Sequence, residues 1–175
     1  MNNSASIRPI LLSLFLISLI CKAQENGWQD LNWGMSIEEI RERHPNVARN
    51  DDTNTYKQEG KTYLAEWRID SYELAGHQFY ADLLMDDAYK LAGVAVKSPD
   101  LSKDAGSTLF NNIESLLTRK YGQPEASDDL QTGKIQKWFL PEVTIKLTYY
   151  YIEILNESWV NVIYLQPLIE DLEKL

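Results

Sequence analysis

Trp33-Gly34-Met35-Ser36-Ile37-Glu38-Glu39-Ile40 reads as the start of a helix, and the rest of the chain can be ordered from it. Ser36 can accept from the Glu39 backbone N–H while the Glu39 carboxylate reaches back to the Ser36 N–H, the reciprocal capping box. Met35 and Ile40 occupy the two positions of a hydrophobic staple, and Glu38 and Glu39 suit the positive end of the helix dipole. Pro45 disfavours helical geometry in the residue before it, so the helix is expected to run from Ile37 to Arg43 or His44. So short a helix is held by packing rather than by propensity.

Upstream, residues 1–23 read as a signal peptide. Arg8 is the positive flank, Ile10 to Ile20 an apolar run short of a membrane span, and Cys21-Lys22-Ala23 a small-residue cleavage site. Cleavage after Ala23 is expected. Lipidation at Cys21 is disfavoured by the large Ile20 before it. Cleavage would remove the chain's single cysteine and two basic residues, leaving 15 basic against 26 acidic residues and a net charge of −11. The expected product is an exported, periplasmic or extracellular, acidic domain without disulfides or a transmembrane helix, long enough to bury one core. Its charge argues against nucleic acid and anionic membranes, which need basic patches.

Beyond Pro45 the hydrophobic period changes. Asn46 to Thr55 reads as a polar loop, and Glu59-Gly60 as a turn into Lys61 to Asp70. There Tyr63, Ala65, Trp67 and Ile69 alternate with Leu64, Glu66, Arg68 and Asp70, as in a half-buried strand. Strands are expected at His77 to Met85 and, after an Asp86-Asp87-Ala88 turn, at Lys90 to Lys97. Leu109, Phe110, Ile113, Leu116, Leu117 and Tyr121 recur at helical spacing before Gly122 and Pro124, which places a second helix from about Ser107 to Tyr121. Strands follow at Lys134 to Leu140, Val143 to Tyr151 and Trp159 to Gln166. The two halves echo each other in Gln58-Glu59-Gly60-Lys61 and Gln131-Thr132-Gly133-Lys134, each followed by a tryptophan. The expected fold class is α+β: two tandem helix-plus-antiparallel-sheet modules, α-β-β-β repeated with room for a fourth strand in each, helices packed on one sheet face. The expected divisions are a first module at 24–99, a second at 100–167 and an acidic tail at 168–175, the two modules forming one globular unit.

Gly34-Met35-Ser36 with Glu39 and Ile40 resembles the helix start of the β-lactamase inhibitor protein and of small outer-membrane assembly lipoproteins of related fold. Lys120-Tyr121-Gly122-Gln123-Pro124 is a looser match to the helix ends of such modules. The resemblance implies an exported bacterial tandem α+β module, and it carries no target with it. The second helix lacks the Gly-Met-Ser start, the first ends at His44-Pro45 rather than at glycine, and the stapling cysteines are missing.

Chemistry is sparse. His44 and His77 are too few and too far apart for a zinc site without remote carboxylates, and Asp51-Asp52, Asp86-Asp87 and Asp128-Asp129 lack calcium-loop spacing. No serine elbow, mature cysteine nucleophile or glycine-rich phosphate loop is present. The expectation is therefore a non-enzymatic module with no cofactor and no metal. Five tryptophans and ten tyrosines suggest a recognition surface instead. If helices cover one face of the sheet, the other shows Tyr150, Lys146, Thr148, Glu66 and Arg68, and the expected partner is another envelope protein. A periplasmic small-ligand carrier, with an apolar pocket between helices and sheet, and a hydrolase are the alternatives.

Overall fold

The computed structural model describes residues 27–58 and 60–167. The expected signal segment at 1–23 and the acidic tail at 168–175 lie outside the described residues. Strands β1 (Gly27–Trp28) and β2 (Leu31–Asn32) form a two-stranded ribbon ahead of helix α1 (Ile37–Arg43). The capping box is formed: Glu39 N–H donates to Ser36 Oγ at 3.4 Å, and Ser36 N–H to Glu39 Oε2 at 2.7 Å. Met35 and Ile40 are both buried, as a staple requires. The far end of α1 is tied back to the ribbon by His44 Nε2, 2.8 Å from Asp30 Oδ1, and by Arg43, which donates to the Asp30 carbonyl.

Four strands follow α1: β3 (Ala48–Gln58), β4 (Lys61–Leu74), β5 (His77–Met85) and β6 (Leu91–Lys97). The short β7 (Leu101–Ser102) leads into α2 (Lys103–Tyr121), and then come β8 (Ala126–Leu130), β9 (Gly133–Phe139), β10 (Thr144–Ile152) and β11 (Glu157–Leu165). Helix α2 begins four residues earlier than the sequence suggested. Ser102 caps it, and Gly106 is a site of close approach rather than a break: a Cβ there would lie 2.1 Å from Ser158 Oγ and 3.0 Å from the Tyr149 ring. Absence of a side chain lets the helix settle on β10 and β11.

Two tandem modules are not what the chain builds. Strands hold 54% of the described residues and helices 21%, so the protein is mostly β. The strands of both halves join in one continuous antiparallel sheet of nine, in the order β3-β4-β5-β6-β11-β10-β9-β8, with β7 beside β11. The physical reason lies at the join. Leu91 to Val96 of β6 are all buried, so this strand is apolar on both faces and must have its free edge covered. It pairs with β11 through Val94↔Tyr164, Ala95↔Ile163 and Val96↔Val162. At the opposite extremes lie β3 and β8, which the sequence presents as polar loops. Edge strands carry charge to discourage further pairing, and this erases the apolar period by which strands are recognised.

The alternation in β4 also breaks. A bulge between Leu64 and Trp67 reverses the pattern, so Tyr63 and Ala65 join one apolar cluster while Trp67 and Ile69 join the other. The larger cluster lies under α2, where Leu109, Phe110, Ile113 and Leu117 meet Ile145, Leu147, Tyr149, Val160 and Val162. Trp138 of β9 is completely buried there, and its indole N–H donates to the Gly122 carbonyl at the helix end, 2.9 Å away.

Candidate functional site

Residues directly opposite each other on neighbouring strands share a face, so the ladder registers map the side of the sheet turned away from α2. One row runs Lys146, Ile163, Ala95, Asp82, Arg68 across β10, β11, β6, β5 and β4. The next runs Thr148, Asn161, Lys97, Tyr80, and a third pairs Tyr150 with Trp159. Four of the five sequence-picked residues, Arg68, Lys146, Thr148 and Tyr150, therefore lie on one face. Glu66 falls within the β4 bulge, outside these rows.

This face is concave rather than flat. Lys146 Nζ on β10 donates to Gln58 Oε1 on β3 at 3.3 Å, although β4, β5, β6 and β11 intervene in the sheet. In a flat sheet those two strands would be about 24 Å apart. The β3–β4 hairpin therefore curls over half of the face. Its Tyr56, Tyr63 and Ala65 meet Leu84, Ala95, Ile163 and Leu165 in a second, smaller apolar cluster.

At the margin of that cluster sits a buried ion. Asp82 has no exposed surface, yet it is the lone charge in the otherwise apolar run Phe79 to Met85. Arg68 Nε approaches its Oδ1 at 2.6 Å, and Lys97 Nζ and the Tyr56 hydroxyl approach Oδ2 at 3.2 and 3.0 Å. A buried carboxylate needs such pairing and hydrogen bonding to remain charged. Burial, and then the adjacent Asp82 charge and hydrogen bond, push the Tyr56 hydroxyl well above the usual tyrosine range. The cations are braced from their other sides: the Arg68 guanidinium lies 5.1 Å from the Tyr80 ring centre and Lys97 Nζ 5.2 Å from that of Tyr56.

Beyond this cluster the uncovered half of the concave face holds an open cleft of about 530 Å³, lined among others by Arg68, Tyr80, Lys97, Asp100, Glu157 and Trp159. Tyr150 stands beside Trp159 in the ladder, with its ring against Gly133, where a Cβ would be only 3.2 Å from Cδ1. Tyr149 and Tyr151 point to the other face, stacked at 5.8 Å between ring centres, and Tyr149 donates its hydroxyl hydrogen to the Lys103 carbonyl. Of the sequence-picked residues, Thr148 is only 2% exposed and offers little to a partner.

Asp82, Tyr56, Lys97, Tyr80 and Trp159 escaped the sequence reading. Only Asp82 carried a usable signal, a single acid within the otherwise apolar run Phe79 to Met85. Among the described residues no three His, Cys, Asp or Glu side chains are grouped to hold a metal ion, and no helix is long and apolar enough to cross a membrane.

Comparison with family models, curated proteins and solved structures finds no match.

Proposed function

We propose that the protein is an exported, non-enzymatic recognition module that holds another envelope protein on the concave face of its sheet. The observation that carries this reading is the uncovered half of that face, where half-buried Tyr80 and Trp159 are interleaved with Arg68, Lys97 and Asn161 around one cleft and half-buried Tyr150 stands beside Trp159 in the ladder. Aromatic rings with arginine, set in a rigid surface and only partly exposed, are the composition of interface hot spots. The surface is preorganised, because its strands are paired on both sides and its cations are pinned by Asp82, so little ordering entropy is lost on binding. The layer between α2 and the sheet is filled by the larger core, which leaves the small-ligand carrier without support.

The test is affinity capture from the native envelope by the chain from Gln24 onward, against a Tyr150→Ala, Trp159→Ala variant of verified fold. The expected result is a protein retained by the wild type and reduced at least tenfold on the variant. Equal capture by both would remove the concave face from consideration. Arg68→Ala is a poor probe here, because it strips buried Asp82 of a partner.

A further inference from the structure

We infer that the cleft receives a basic side chain of the partner, a lysine or arginine next to an apolar residue; this rests on the reading of the concave face as a protein-recognition surface. The cleft contains both signs of charge, but they differ in where they are directed. Arg68 and Lys97 are turned inward onto Asp82, with only 18% and 26% of their side chains exposed. Asp100 and Glu157 are exposed at the same cleft. Buried Asp82 already engages both cations, so the two exposed carboxylates set the charge that a ligand meets, and an anionic ligand would meet repulsion where a cation meets attraction. The excess of acid over base in the whole chain, net −9, acts in the same direction at longer range.

Two further features fit a basic residue. Glu157 and Trp159 are two apart on β11 and share a face, which places a carboxylate and an indole on the same side of the cleft. An indole face attracts ammonium and guanidinium groups. Ile152 also lines the cleft, and the turn that follows it carries Ile154 at 95% and Leu155 at 56% exposure. That turn is held in place by Lys103 Nζ on Glu153 at 2.5 Å and by Asn156 in the left-handed conformation. An ordered apolar turn beside an acidic, aromatic cleft matches a basic residue with an apolar neighbour. Its acidic flanks, Glu153 and Glu157, oppose burial in an anionic bilayer. Because β5, β6 and β11 are paired along both sides, the partner cannot add a strand there and must be read by side chains.

The test is calorimetric titration of the chain from Gln24 onward with three nine-residue peptides carrying two Lys-Ile, two Glu-Ile or two Ser-Ile pairs in a Gly-Ser background. The Lys-Ile peptide should bind at least tenfold more tightly than the others, and more weakly as salt rises from 50 to 500 mM. Trp159→Ala, and separately Asp100→Asn with Glu157→Gln, should each weaken it at least tenfold. Asp128→Asn with Asp129→Asn on β8, the same loss of charge elsewhere, should leave it within twofold. Equal affinity for the three peptides, an equal loss in the β8 variant, or no Lys-Ile binding at millimolar peptide would overturn the inference. So would binding of a neutral oligosaccharide such as chitotetraose at the same cleft in preference to the Lys-Ile peptide. If these fail while envelope capture still depends on Tyr150 and Trp159, the partner's charge is wrong and the recognition face stands; if capture fails too, both readings fall.

Discussion

Asp82→Ala is expected to destabilise the protein by about 3–5 kcal/mol, the usual cost of removing one member of a buried ion cluster. The loss is large because the carboxylate holds Arg68, Lys97 and the Tyr56 hydroxyl together at the centre of the sheet. Its removal leaves two cations in a half-buried cleft with like charge for company. Arg68→Met should also destabilise in the wild-type background, and by much less when Asp82 is already leucine, since the apolar pair no longer needs compensation. Urea unfolding of the four chains of this cycle gives the coupling directly. Tyr56 adds a pH signature. Its folded-state pKa is raised, so its contribution is fully present below the unfolded tyrosine value and is lost as pH rises toward the folded one. Tyr56→Phe should therefore flatten the decline of stability above about pH 10. Additive effects of Asp82 and Arg68 would mean that the cluster is not a cooperative unit.

Trp138→Ala should cost a similar amount, about 3–5 kcal/mol, by opening a cavity that neighbouring side chains cannot close. The ring is fully buried between β9 and the end of α2, and its N–H satisfies the carbonyl of Gly122, the residue that ends the helix at a positive φ of 91°. Trp138→Phe separates the two contributions. It keeps most of the apolar volume but abandons a carbonyl at a helix end, so it should lose about 1–3 kcal/mol. Thermal unfolding read separately at α2 and at the sheet would show whether the helix detaches first, which is the expected order if Trp138 is its main tie.

Much of this architecture was legible locally, and the parts that were not have physical causes. The capping box at Ser36 and Glu39 and the staple of Met35 with Ile40 are short-range devices, and they form where the residues announce them. The span of β5, His77–Met85, follows from its composition for the same reason. Strands β3 and β8 were invisible because edges select polar residues. The union of the halves was equally hidden, since the apolar character of β6 shows that it needs a partner but not that β11 provides it. Gly106 looked like a helix breaker because its use is tertiary, a close approach to Ser158. On the concave face, strand alternation was enough to group Tyr150, Lys146 and Thr148. The bulge in β4 leaves Glu66 without a partner in the β4–β5 ladder, and the ion-pair role of Arg68 depended on Asp82, one of 26 acids in the chain.

The central question is whether the concave face is the side by which the protein meets its partner. Carbene footprinting of the chain, alone and saturated with its purified capture partner, addresses that most directly. Protection is expected to concentrate at Tyr80, Tyr150, Ile154 and Trp159, with the exposed side of α2 unchanged. Protection of α2 or of the β8 edge, with Trp159 labelled equally in both states, would contradict that expectation.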